Sequence, residues 1–162
     1  MFGRKKSSSN DVYSRLVKEY EANKPMIASM SADERTAVVF GGYALDAVDL
    51  SKQGMNIDLD FSESSISLVE SILDALSKDI VKLKPSSENI DLMAKKYAGY
   101  IGEVIRQNDG RWRAEENTHA KNAGPAIVFN HNEFYVLNKV AKRLVNGPED
   151  NVWHAYTALR SK

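Results

Sequence analysis

The sequence predicts an α+β domain: a small antiparallel sheet of three strands covered by about six helices. Three observations carry this. Six stretches repeat apolar residues at the 3.6-residue period of a helix. Of three shorter ones, two alternate apolar and polar residues with the period of two that marks a half-buried strand, and the third, at 125–129, is a short apolar run opened by proline. The last two of these are separated only by the polar stretch 117–124 and its flanks, a gap too short for a crossover helix and suited to a hairpin.

Residues 1–10 combine Arg4, Lys5 and Lys6 with serines and no periodicity, and are expected to form a disordered basic tail ahead of a single domain at 11–162. Residues 11–22 place Tyr13, Leu16, Val17 and Tyr20 on one helical face, and Pro25 marks the end. Ser31-Ala-Asp-Glu34 has the form of a capping box. It opens a helix to about residue 53, with Ala37, Val38, Gly41, Ala44, Leu45 and Val48 inward and Gly54 as its stop. Asn56-Ile-Asp-Leu-Asp-Phe-Ser62 then alternates, with Ile57, Leu59 and Phe61 on one side and Asp58 and Asp60 on the other, as in a strand.

A helix at about 64–78, capped by Ser62 or Ser64, buries Ile66, Val69, Ile72, Leu73 and Leu76. After a Pro/Ser loop, a helix at about 87–108 buries Ile90, Met93, Tyr97, Ile101 and Val104. It carries Gly99 and Gly102 in its body. A glycine inside a helix costs about 1 kcal/mol relative to alanine, so another backbone is expected to pack close there. Strands follow at 111–115, led by Trp112, and at 125–129, where Pro125 takes the first position and its missing donor is tolerated. Two helices close the chain, at 133–146 and about 150–160, divided by Gly147-Pro148.

Composition bounds the function. The 162 residues are 43% apolar and 27% charged, as in a globular domain with a real core. There is no cysteine, so disulfides, thiolate zinc sites and cysteine nucleophiles are excluded. No apolar run approaches the ~20 residues of a membrane helix, and the basic start is not followed by the apolar segment of a secretory signal. A cytoplasmic protein with no membrane partner is expected. The formal net charge is 0 but unevenly spread: +3 over residues 1–24, −7 over 25–91 and +4 over 92–162. The acidic middle would repel phosphate, which argues against nucleic acid. It would suit a basic protein partner, or simply attract the basic remainder of the fold.

Asp58 and Asp60 share one strand face, close enough to hold a divalent cation or divide acid–base work, with Asp46, Asp49 and Glu63 available to complete such a site. A solvated strand face accounts for the pair equally. Glu103 lies just off the inner stripe of its helix and needs a cation, from Arg106 or Arg143. His119, His131 and His154 lack the spacing of a zinc helix, and no Ser/His/Asp arrangement is present. The second half is rich in aromatic residues with basic ones between them. That would suit single-stranded nucleic acid, although core packing explains most of them. Tyr135 and Trp153 are expected to be exposed and to suit a protein interface.

From about Ile90 to Leu159 the chain resembles a set of small bacterial domains without assigned activity. The pattern is a helix with Gly102-Glu103-Val104, a strand led by Trp112, a second strand ending at Phe129, a helix carrying Lys142-Arg143 before Gly147, and a short last helix. The resemblance implies a bacterial α+β domain and supplies no catalytic residues. In size, acidic middle and lack of a catalytic motif, the chain is also similar to bacterial immunity proteins, which bind and block a toxin. The expectation is therefore a non-enzymatic, cytosolic bacterial binding protein, with no cofactor and no metal. Its partner would be another protein, such as a toxin with a basic surface, engaged through Asp46, Asp49, Asp58, Asp60, Glu63, Tyr135 and Trp153. The alternatives are a metal-dependent hydrolase using Asp58, Asp60 and Glu63, and a nucleic-acid-binding module using Lys139, Lys142, Arg143 and the aromatics.

Overall fold

The computed structural model describes residues 9–162. Of the expected tail, residues 1–8 lie outside the described residues, and Ser9 and Asn10 already belong to the first helix. Among the described residues there are six α-helices and one three-stranded antiparallel sheet, an α+β fold. The helices are α1 (Ser9–Asn23), α2 (Ala32–Met55), α3 (Ser65–Leu83), α4 (Ser87–Arg106), α5 (Val136–Asn146) and α6 (Val152–Arg160); the strands are β1 (Arg111–Arg113), β2 (Ala126–Phe129) and β3 (Asn132–Phe134).

Helix α4 is the spine. Every residue from 97 to 105 is buried, which is the pattern of a helix enclosed on all sides. It packs most extensively on α2 and also on α5. The glycines make this possible. A Cβ on Gly99 would lie 2.5 Å from the carbonyl oxygen of Phe40 and 3.0 Å from the amide nitrogen of Ala44, so α2 approaches α4 backbone to backbone. At Gly102 the close neighbour is a ring, that of Trp112.

Local chemistry sets most boundaries. Ser31 and Glu34 form both bonds of the capping box, at 3.2 and 2.8 Å. Helix α2 runs through Gly54, and Asn56 closes it in the left-handed region at φ 52°. Helix α3 extends five residues beyond the expected 78, because the first effective stop is Lys84 at φ 46° followed by Pro85. Helix α5 starts later than expected, since Asn132–Phe134 is taken by the sheet.

The expected strand over 56–62 does not form. The alternation of burial survives: Leu59 and Phe61 are buried, while Asp58 and Asp60 are exposed. The segment has no partner strand among the described residues. Phe61 takes φ 59°, which breaks the extended run, and its N–H donates to the Oη of Tyr100 at 2.7 Å. Ser65 Oγ shares that phenol at 2.6 Å. An alternating segment can thus bury one side against helices while its backbone is satisfied by a side chain.

The third strand is instead β3. Asn130 and His131 join it to β2, both at positive φ (48° and 63°), as a tight two-residue hairpin turn requires. In the sheet, Trp112 stands opposite Ile127, and Ile127 opposite Phe134. This row faces the helices, with the Trp112 ring 4.5 Å from that of Phe40 on α2. The other face carries Arg111, Val128 and Glu133.

A candidate protein-binding groove

Helices α1 and α2 meet along an open groove of about 430 Å³, lined by Tyr13, Tyr20, Tyr43, Asp46, Asp49 and neighbouring residues. Helix α1 contributes Tyr13, Val17 and Tyr20, spaced at three to four residues so that they share one face, and Lys24 stands just past its end. Two other residues of α1, Val12 and Leu16, are buried and fasten it to α2. Gly42 is the floor: a Cβ there would lie 2.7 Å from Cε2 of Tyr20, so only glycine lets this ring lie on α2.

The groove is acidic and aromatic together. Glu21, Asp46 and Asp49 supply three carboxylates against the single ammonium of Lys24. The Oη of Tyr13 donates to Oδ1 of Asp49 at 2.9 Å. Burial raises the pKa of this phenol above its ordinary value, and the hydrogen bond to Asp49 and the charges of Asp49 and Asp46 raise it further. Tyr13 therefore stays a neutral donor. Lys24 Nζ lies over the Tyr20 ring, 5.7 Å from its centroid, so one aromatic face already holds a cation.

The other three carboxylates of the expected surface lie outside this lining and are separately engaged. Asp58 pairs with Lys52 at 3.1 Å. Asp60 accepts from the backbone N–H and Oγ of Ser62, at 3.0 and 2.6 Å, and shapes the turn before α3. Glu63 pairs with Arg160 at 2.7 Å and accepts from the Tyr156 hydroxyl. The acids proposed for a metal hydrolase thus each serve a different local partner. Among the described residues no three His, Cys, Asp or Glu side chains come together as a metal site requires.

Tyr135 and Trp153, expected to be exposed, are both half-buried. Trp153 packs on Tyr156 with ring centroids 6.0 Å apart. Tyr135 belongs to a polar cluster that sequence reasoning missed. Its Oη accepts from the N–H of Ala120 at 2.9 Å and donates to Glu133. Glu133 also accepts from Arg113 Nη1 at 2.8 Å and from the backbone N–H of His119 at 3.0 Å, and it meets the His119 ring at 2.9 Å. Burial pushes this carboxyl up, but the four hydrogen-bonding groups outweigh it and hold the pKa at about 2. Asp33 secures the other end of the same loop, accepting from the Ala114 N–H at 2.7 Å and from Asn117 Nδ2 at 2.9 Å. All these bonds fasten the β1–β2 connection to the body, which is a structural task.

Glu103 is 1% exposed and takes its cation from Arg106, at 2.6 Å, not from Arg143. Arg106 reaches on to Glu19 of α1 at 2.9 Å. Arg143, expected on a basic binding surface, is itself 1% exposed and pairs with Glu70 and Asp74 of α3 at 2.7 and 2.8 Å. Lys139 pairs with Asp150 at 3.1 Å. Two of the three cations named for nucleic acid are thus engaged within the fold.

Comparison with models of protein families, with curated proteins and with solved structures gives no significant match. No helix among the described residues is long and apolar enough to cross a membrane.

Proposed function

We propose that this protein is a non-enzymatic binding protein that receives a basic segment of a partner protein in the groove between α1 and α2. One observation carries this: three tyrosines and three carboxylates line the same open groove, and a lysine already rests on one of the rings. Tyrosine is among the residues that concentrate binding energy at protein interfaces, because it covers area with few rotatable bonds. The carboxylates favour an arginine or lysine side chain, and the ring faces hold its charge. Asp58 and Asp60, both exposed, add to the acidic field that speeds encounter with a basic surface. In its fullest form, the partner is a bacterial toxin and this chain the cytoplasmic immunity protein that covers its basic surface. The −7 charge of residues 25–91 supports that form.

The test is selection of displayed random peptides on the immobilised full chain. Enrichment of Lys/Arg beside aromatic or apolar residues is expected. Asp46→Lys with Asp49→Lys should weaken the selected peptides at least about tenfold. Enrichment of neutral or acidic sequences, or indifference to the double reversal, would rule out the groove.

A further inference from the structure

The acidic groove continues into a neighbouring hollow. This second hollow, of about 400 Å³, lies between the first half of α2 and the connection after β1, with Thr36, Phe40, Glu115, Glu116 and Pro125 in its lining. Ile27 and Val39 belong to the walls of both, so the two adjoin. Helix α2 runs along the whole length. Thr36, Val39, Tyr43, Asp46 and Asp49 succeed one another at three or four residues, one stripe that passes from the second hollow into the groove. The ten residues from Thr36 to Asp46 make about 15 Å of helix.

Both ends of this trough carry carboxylates, and apolar residues divide them. Asp46 and Asp49 belong to the groove. In the second hollow Glu115 and Glu116 are exposed, and neither side chain has an ion pair or hydrogen bond among the described residues. Arg35 lines the same hollow, but its guanidinium is turned to the Met30 carbonyl, donating at 2.7 Å. Where the hollows meet stand Ile27 and Val39, and Val39 keeps 40% of its surface exposed. An acidic segment would be repelled at both ends, and a segment with one basic cluster would satisfy one end only. A segment basic at both ends of a short apolar stretch meets all three regions, and once its first cluster is held the second binds intramolecularly. An extended chain covers about 15 Å in four or five residues.

We propose that the two hollows form one binding trough, and that the partner segment carries two basic clusters separated by four or five mostly apolar residues. One cluster meets Asp46 and Asp49, the other Glu115 and Glu116. This rests on the reading of the α1–α2 groove as the binding site and adds a second subsite to it. The test is fluorescence anisotropy of two dye-labelled peptides of one composition, titrated with the full chain. In Lys-Arg-Ala-Val-Leu-Ala-Lys-Arg the clusters are split; in Lys-Arg-Lys-Arg-Ala-Val-Leu-Ala they are joined. The split peptide should bind at least about fivefold more tightly. Glu115→Lys with Glu116→Lys should weaken the split peptide at least about tenfold and the joined one no more than about twofold, because physiological salt screens charges beyond about 8 Å.

Both glutamates already lie in water, so this variant should keep the helical circular dichroism, and Glu115→Gln with Glu116→Gln should fall between it and the wild type. Asp46→Lys with Asp49→Lys should weaken both peptides. Equal binding of the split and joined peptides, a split peptide indifferent to the reversal at Glu115 and Glu116, or a joined one weakened as much as the split, would each overturn the second subsite. The groove reading survives those results as long as the Asp46 and Asp49 reversal weakens both peptides. If that reversal also changes nothing, both readings fall.

Discussion

Trp112 lies across Gly102 so closely that a Cβ at position 102 would stand 2.0 Å from Cζ2 and 2.6 Å from Cη2 of the indole. The first residue of the sheet core is thereby seated in a notch of the central helix. Gly102→Ala must displace a ring that also packs on Phe40. Overpacking of this kind costs about 1–3 kcal/mol, more than the ~1 kcal/mol that alanine returns in helix propensity. Gly99→Ala should cost more, since two of its close neighbours are α2 backbone atoms, which cannot rotate away. Gly54→Ala, with nothing within 4 Å, should be neutral or stabilising by up to about 1 kcal/mol. Urea denaturation of the three variants checks the order.

Tyr100→Phe removes the oxygen that accepts the Phe61 N–H. An orphaned buried donor costs about 1–3 kcal/mol, although the phenylalanine ring fits the same space. Ser65→Ala removes one partner of the phenol and leaves the Phe61 bond intact, so it should cost less. Thermal denaturation of the two variants distinguishes the bond to the backbone from the bond to the serine.

Glu133 predicts a pH signature. Its folded pKa of about 2 lies below its ordinary value of 4.5, so the carboxylate form is favoured by folding. Its contribution is fully present above about pH 4.5 and is lost as the pH falls toward 2. Glu133→Gln should therefore be less stable than the wild type at pH 7, and the difference should shrink through that window. Denaturation midpoints measured at successive pH values follow the gap; a gap that stays constant down to pH 2 contradicts the account.

Arg143 and Glu70 form the buried tie between α5, α3 and α6, because Glu70 also accepts from the Val152 N–H at 2.8 Å. Arg143→Met should cost about 3 kcal/mol or more, since it strands a carboxylate that is 14% exposed. Glu70→Gln keeps an acceptor for Val152. The double variant should recover much of the loss, and a double-mutant cycle in urea measures the coupling.

What could be read in the chain was whatever lies close in sequence. The Ser31/Glu34 cap and the Glu103–Arg106 pair join neighbours one turn apart; the glycines of α4 announce a close approach, but its partners on α2, Phe40 and Ala44, lie far off in the chain. The strand expected at 56–62 failed because alternation reports burial and not pairing; its true partner is Tyr100, 39 residues from Phe61. Glu133 was passed over since Arg113 and His119 are 20 and 14 residues away and β3 has only three residues. Asp46 and Asp49 were recognised as acids. Tyr13 and Tyr20 share one helical face with Leu16 and Val17 in the sequence, and helical spacing does not distinguish a groove from a core. The legible hint was Gly42, paired with an aromatic rather than an aliphatic stripe on α1.

Lys24 occupies the ring face that a partner's cation would use. A cation–π contact at an exposed site is worth about 0.5–1 kcal/mol, so Lys24→Ala should strengthen binding of a basic peptide by about two- to fivefold. Fluorescence anisotropy of a labelled Lys/Arg-rich peptide, with and without the substitution, reads this directly.

The most direct measurement is a two-dimensional amide NMR titration of the full chain with that same peptide at low salt. Shifts should cluster on α1 and α2 at Tyr13, Tyr20, Tyr43, Asp46 and Asp49, and fade as salt is raised. No perturbation at saturating peptide, or shifts centred on the sheet or on α5 and α6, would contradict the proposal that this groove is where the protein binds.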